Sequence, residues 1–277
     1  MSEGFSPVVL AKLVLWVGAV VAATLLLRRS RASGRVRIVF LVAGILLFGF
    51  LFGLLARGGL DPNPVFSLRQ LLRLVFSSQR SVLVAIRQPA TITIAVMLLV
   101  LLATVWISNK SICGWGCQFG LLQDLLYRVR LPKWKPPFWL TNSIRLMAFA
   151  ALVGGLMVTK QDWIGWVDPF QLFRFNFTLA IGSFAVLLLV ASLFVYRPWC
   201  QLLCPFGFAG WLVEQVSILR PRINWAQCKK CQLCVNACPT QAMADFYAKK
   251  KTHADCFACG ACIKACRRKD ALDWKGK

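Results

Sequence analysis

Cys228-Lys-Lys-Cys231-Gln-Leu-Cys234-Val-Asn-Ala-Cys238-Pro239 places four thiols within eleven residues, with a proline after the last. This is the spacing that holds a [4Fe–4S] cluster in two-cluster bacterial ferredoxins, where a short loop with cysteines three apart wraps one cubane. A second run follows: Cys256-Phe-Ala-Cys259-Gly-Ala-Cys262-Ile-Lys-Ala-Cys266, with Arg267 in place of the proline. In such ferredoxins the fourth cysteine of each run crosses to the other cluster. One cluster is therefore assigned to Cys228, Cys231, Cys234 and Cys266, and the other to Cys256, Cys259, Cys262 and Cys238. Zinc also takes paired thiols, but four in one short run before a proline fit a cubane better. The two runs predict a small α+β two-cluster ferredoxin-like module over 226–277.

Upstream, the composition changes character. Of the 277 residues, 58% are hydrophobic, against about 45–50% in an ordinary soluble domain. Five apolar stretches are long enough to be read as membrane spans: about Val8–Leu27, Val36–Ala56, Ile92–Ile107, Ile144–Val158 and Phe177–Val195. The first has no basic leader and no small-residue cleavage site before Arg28, so it reads as a helix rather than a cleaved signal. The fold class expected is a mainly α membrane protein of about five transmembrane helices with the ferredoxin-like module at its C-terminal end. Its parts are a membrane domain over 1–207, a linker over 208–225 and the module.

The net charge is +23, from 33 Lys and Arg against 10 acidic residues. Much of that charge flanks the spans, where it sets topology and meets anionic lipid, so nucleic acid is rejected as a partner. Arg28, Arg29, Arg31, Arg35 and Arg37 crowd the first connection. Lys110, Arg128, Arg130, Lys133 and Lys135 lie in the third. With five spans these segments and the basic C-terminal tail share one side, expected to be the cytoplasm, with the N-terminus periplasmic. The second connection, about Arg57–Gln88, contains an amphipathic stretch, Phe66–Phe76. Its Arg69 and Arg73 lie opposite the apolar face, and it is expected to rest on the outer membrane surface.

Four cysteines remain, in a repeated pattern. Cys113-Gly-Trp-Gly-Cys117-Gln-Phe-Gly120 and Cys200-Gln-Leu-Leu-Cys204-Pro-Phe-Gly207 both read Cys-x3-Cys-x-Phe-Gly, each after a span expected to run inward. A spacing of four puts both sulfurs on one helical face. These thiols could hold a further metal centre, act as a thiol/disulfide relay beside a quinol site, or be structural. Trp115, Phe119, Trp199 and Phe206 could wall a quinone ring or anchor the chain at the interface. His253 is the one histidine and lies between the ferredoxin runs, which excludes a histidine base in the membrane and bis-histidine haem ligation. The proton acceptors left for quinol are Gln123, Asp124, Gln201, Glu214 and Gln215 on the inner side, and Asp162, Asp168 and Gln171 on the outer.

The two Cys-x3-Cys motifs, the segment Trp166–Pro169 between the last two spans and the paired runs resemble the NapH/MauN-type membrane ferredoxins over about Val36–Lys277. Two features depart from the family pattern: Gln118 stands where a proline usually follows Cys117, and Val8–Leu27 adds a helix to a four-span core. The resemblance implies a multi-pass protein of the bacterial inner membrane that draws electrons from the quinol pool. It would pass them by two cytoplasmic [4Fe–4S] clusters to another redox subunit, such as a ferredoxin, a multihaem cytochrome or a reductase. It also places Cys113, Cys117, Cys200 and Cys204 in the electron-transfer or quinol-linked motifs. The alternative is a redox-dependent assembly or regulatory protein for a metalloenzyme.

Overall fold

The computed structural model describes residues 7–29, 34–55, 63–77, 89–175 and 178–276. Among the described residues, four helices are long and apolar enough to cross a membrane: α1 (Pro7–Arg28), α2 (Gly34–Leu55), α4 (Pro89–Ser108) and α7 (Phe138–Val158). Between them lie α3 (Pro64–Ser77), α5 (Ser111–Trp115) and α6 (Gln118–Tyr127). Then come α8 (Ile164–Val167), a 3-10 turn (Pro169–Arg174), α9 (Leu179–Ala191), α10 (Pro198–Leu202) and α11 (Pro205–Glu214). Proline opens α1, α3, α4, α10 and α11, where its fixed φ suits the first turn and its missing N–H costs nothing.

The fifth expected span appears as α9, of 13 residues, or about 20 Å of helix against a hydrocarbon core of about 30 Å. The Thr178 hydroxyl caps it by accepting from the Ile181 amide at 3.3 Å. Residue 177, where the span was expected to begin, lies outside the described residues. The chain ahead of α9 folds inward: Phe170 and Phe173 of the 3-10 turn are buried in the core.

Helix α3 differs from its expected place on the lipid surface. It packs against α4, α7 and α11, and Val65, Ser67 and Leu68 are buried in the protein. Arg69 explains the orientation. Its guanidinium binds Asp162 at 2.5 Å and Asp168 at 2.9 Å, so a polar side chain beside the helix is satisfied inside the protein. The same contacts account for those two carboxylates without a role in proton transfer.

The stretch 208–225, expected as a linker, is structured. It carries most of α11 and strand β1 (Arg220–Ile223), which pairs antiparallel with β2 (Leu272–Lys275). The module adds α12 (Leu233–Ala237), α13 (Ala242–Tyr247) and α14 (Ala261–Ala265). Trp274 of β2 donates to Ser108 at the end of α4, at 3.2 Å, so the module is seated on the membrane helices.

Candidate metal centres

Each Cys-x3-Cys motif builds a helical hairpin that turns back into the protein. Thr24 near the end of α1 donates to Ser108 at the end of α4, at 3.1 Å. Eight residues on from Ser108, the carbonyl of Gly116 accepts from the indole of Trp16, in the middle of α1, at 3.0 Å. Helix α5 therefore climbs back to mid-depth. Helix α6 then descends beside α2: Gln118 lies against Gly49, Leu121 against Gly44, and Asp124 pairs with Arg37 at 2.8 Å. The second motif does the same beside α7. Phe208 stacks near Phe149 at 4.9 Å and Trp211 near Phe138 at 5.6 Å.

A non-helical turn at that depth is tolerated only where protein satisfies its backbone. Buried side chains do so here. Arg37 donates to Gly114 O at 2.7 Å. Arg197, which precedes α10 with φ 49°, donates to the carbonyls of Cys113 and Gly114. Lys110, which precedes α5, donates to Gly207 O at 2.9 Å. Lys110 and Arg197 each stand three residues ahead of the first cysteine of their own motif and each reach the other motif. The acids that balance them are also buried. Asp124 accepts from Arg197 at 2.9 Å and from the Tyr196 hydroxyl at 2.8 Å. Asp255 pairs with Lys110, and with Arg145 at 2.9 Å.

The repeated Phe-Gly has a packing reason. A Cβ on Gly207 would collide with the Cys200 carbonyl, and one on Gly120 would stand 3.0 Å from the Cys113 carbonyl. Only glycine lets the two arms of each hairpin lie this close. Phe119 and Phe206 are buried beside them, and Phe170 of the inward-folded turn meets Phe119 at 6.0 Å.

These hairpins bring Cys113, Cys117, Cys200 and Cys204 together. All four are buried, and each lies within electrostatic range of the other three. Cys117 and Cys204 are the N-caps of α6 and α11. The Gly207 amide donates to the Cys204 sulfur at 3.2 Å. Two helix N-termini and two buried cations thus face one thiol cluster, an environment that favours negative charge. Trp115 and Trp199 are fully buried, so neither anchors the chain at the interface.

In the module the cysteines fall into two groups. Cys238, Cys256, Cys259 and Cys262 line one cavity. Cys228, Cys231, Cys234 and Cys266 line another. In each run the residues flanking the second cysteine are left-handed: Lys230 and Gln232 in one, Ala258 and Gly260 in the other. Such turns aim successive amides into a concavity that suits an anionic group. The donor sets and cradles fit [4Fe–4S] clusters. Among the described residues, no three His, Cys, Asp or Glu side chains gather closely enough for a single metal ion.

The loop of the second run docks on the first hairpin. The Lys110 amide donates to Cys256 O at 3.3 Å, and the Trp115 indole to Ala258 O at 2.8 Å. Phe257 lies against Tyr196, with centroids 5.8 Å apart. Glu214 accepts from the Cys256 amide at 3.2 Å. Gln215 holds His253 through two backbone hydrogen bonds. Gln123 touches the Cys200 thiol at 3.8 Å. Gln201 donates to Tyr196 O, and Gln171 to Gly165 O at 3.0 Å.

A family model described as "4Fe-4S binding domain" matches twice, over 90–137 and 177–225, one match per hairpin. A second model of the same description matches 221–244. Regulatory protein NosR of Pseudomonas aeruginosa is 32% identical over 47% of this chain and 20% of its own length. Ferredoxin-type protein NapH of Haemophilus influenzae is 27% identical over 54% of this chain and 55% of its own. Methylamine utilization ferredoxin-type protein MauN of Methylorubrum extorquens is 25% identical over 79% and 78%. The chain spans between a fifth and about half the length of the first curated relatives it matches. No solved structure matches it. Membrane helices joined to cysteine-lined cradles define a membrane-bound iron–sulfur protein. Within that class, the chain is similar to the membrane ferredoxin-type proteins NapH and MauN.

Proposed function

We propose that this protein oxidises quinol and delivers the electrons to a redox partner of an anaerobic respiratory chain. In this reading the two module quartets hold [4Fe–4S] clusters, and Cys113, Cys117, Cys200 and Cys204 hold a further metal centre. Such clusters, when bound, supply the one-electron chemistry. The chain's own residues insulate the buried thiols, neutralise their charge and join them to the module.

The observation that carries the reading is the contact between the Cys256–Ala258 loop and the Cys113–Trp115 backbone, which makes the cysteine groups contiguous. Thiols that only filled space would not call for two helix N-termini and two buried cations around them. Asp124 lines a cavity of ≈ 380 Å³ together with Tyr127, Tyr196 and Cys259. That size suits a small-molecule ring, and the cavity is where the quinol head is placed in this reading. The module side would be the cytoplasmic face of the bacterial inner membrane. Lys135, from the basic third connection, lies on that side and donates to Asn236 O at 2.8 Å.

The test is anaerobic purification followed by iron counting and EPR during addition of a quinol analogue. Iron near about eight atoms per chain supports two cubanes, and a higher count supports the further centre. If quinol reduces no cluster in the presence of a competent acceptor, the dehydrogenase reading fails. The similarity to NosR, a regulatory protein, favours the alternative of a redox-dependent assembly or regulatory role. That reading expects clusters that change redox state without steady turnover.

A further inference from the structure

The two cradles of the module are not equivalent. The one formed by Cys238, Cys256, Cys259 and Cys262 is walled by Phe257, Tyr196 and Trp274, all buried, and its loop is seated on α5. The one formed by Cys228, Cys231, Cys234 and Cys266 opens outward. Cys231 is exposed and its three companions are half-buried. Helix α12, which carries Cys234, has no buried residue. Among the described residues, no hydrogen bond or ring contact of the Cys228–Cys234 loop reaches a membrane helix.

The charge around the outer cradle is one-sided. Lys229, Arg267 and Arg268 line it, and they and the adjacent Lys230 are exposed. The module has four acids. Asp255 is buried with Lys110 and Arg145, Asp245 holds the Ala254 amide and Lys250, and Asp273 pairs with Lys275. The fourth, Asp270, follows a rim that carries four cations among the described residues.

We propose that the outer cradle is the docking port for an acidic, soluble electron-transfer protein, and that the inner cradle serves the membrane side. This rests on the reading that both cradles hold clusters. A single electron crosses at the port, with no bond made or broken, and the partner's own cofactor is its donor or acceptor. A protein partner fits better than a lipid surface because the exposed cysteine lies among the cations, where a redox centre must approach. The membrane contacts use other parts of the module, Trp274 and the Cys256–Ala258 loop.

The test uses the full chain in nanodiscs, under anaerobic conditions, with an acidic bacterial ferredoxin as probe. Stopped-flow exchange is followed from low to high salt for the wild type and for K229E/K230E/R267E/R268E. The milder pair Lys229→Gln and Arg267→Gln guards against misfolding, and iron per chain and EPR of both clusters are checked in every sample. The wild-type rate is expected to fall about tenfold or more with salt, and the reversed variant to be slowed by a similar factor at low salt with its salt dependence lost. The milder pair is expected to lie between. Equal rates in wild type and variants, with clusters intact, overturn the port. So does loss of binding to phosphatidylglycerol vesicles with unchanged exchange, which would make the patch a lipid contact. Absence of cluster signals in the wild type would instead sink the reading of the cradles themselves.

Discussion

Lys110 and Gly207 belong to different halves of the chain, yet the ammonium of one donates to the carbonyl of the other at 2.9 Å. Arg197 returns the contact, reaching Cys113 and Gly114 from the second half. Each cation also shares a buried carboxylate with a second cation, Asp255 with Arg145 and Asp124 with Arg37, so removing it leaves the carboxylate paired but deprives the other hairpin's carbonyls of a donor. Lys110→Met and Arg197→Met are each expected to destabilise the protein by about 1–3 kcal/mol, the cost of leaving buried hydrogen-bonding groups unsatisfied. Thermal unfolding in detergent measures this. Arg197→Lys keeps the charge but loses the planar fork that reaches two carbonyls and Asp124 together, so it is expected to fall between.

The glycines offer a graded test. Gly207→Ala drives a methyl into the Cys200 carbonyl, and Gly120→Ala meets the Cys113 carbonyl at 3.0 Å. The first is expected to cost folded yield outright, and the second to lower stability measurably. Gly18 and Gly154 lie in spanning helices with nothing within 4 Å of an added Cβ. Alanine there is expected to be neutral or to stabilise by up to about 1 kcal/mol through helix propensity. Expression level and melting temperature of the four variants decide the order.

Docking of the module can be separated from its cofactors. Gly114→Ala places a methyl against the Phe257 carbonyl, and Trp115→Phe removes the hydrogen bond to Ala258. Both are expected to retain iron in the module while hydrogen exchange over 254–260 rises and reduction of the module clusters from the membrane slows. Loss of module iron in step with docking would show instead that the loop depends on α5 to fold.

Iron should leave the two cradles unequally. With Cys231 exposed and Cys238 and Cys262 buried, mild anaerobic oxidation with a chelator is expected to empty the outer cradle first. EPR of the partly depleted protein, compared with a Cys231→Ser variant, identifies which signal disappears.

His253 gives the module a pH dependence. Burial holds its pKa below the ordinary histidine value of 6.5. The imidazole is therefore neutral in the folded protein and takes up a proton on unfolding. Its contribution to stability is complete above about pH 6.5 and declines as the pH falls through the window below it. His253→Gln is expected to flatten that part of the melting curve against pH, and an unchanged slope would remove the assignment.

The cysteine runs and the apolar stretches were legible because their signals are local: fixed spacing in one case, sustained hydrophobicity in the other. The hairpins were not, since α5 and α10 have five residues each and α6 and α11 ten, too few for a span. Lys110, Arg37 and Arg197 look like any basic flank, and only tertiary contact shows that they are buried. Their signal was nevertheless present. A cation three residues ahead of the first cysteine occurs in both motifs, and comparing the repeats one step further upstream would have found it. Trp115 and Trp199 misled in the opposite sense, because tryptophan near the end of a span usually marks the interface. The pairing of Arg69 with Asp162 and Asp168 joins residues about a hundred positions apart, beyond the reach of any periodic pattern.

The crossed cations carry a consequence for ancestry and for assembly. They are the contacts two identical subunits would make in a dimer, each lending a charge to close its twin, and here a single polypeptide has both. Neither half is then expected to be a folding unit alone. A chain divided between α7 and α8 should yield two fragments that are degraded when made singly and recover iron when made together in one membrane.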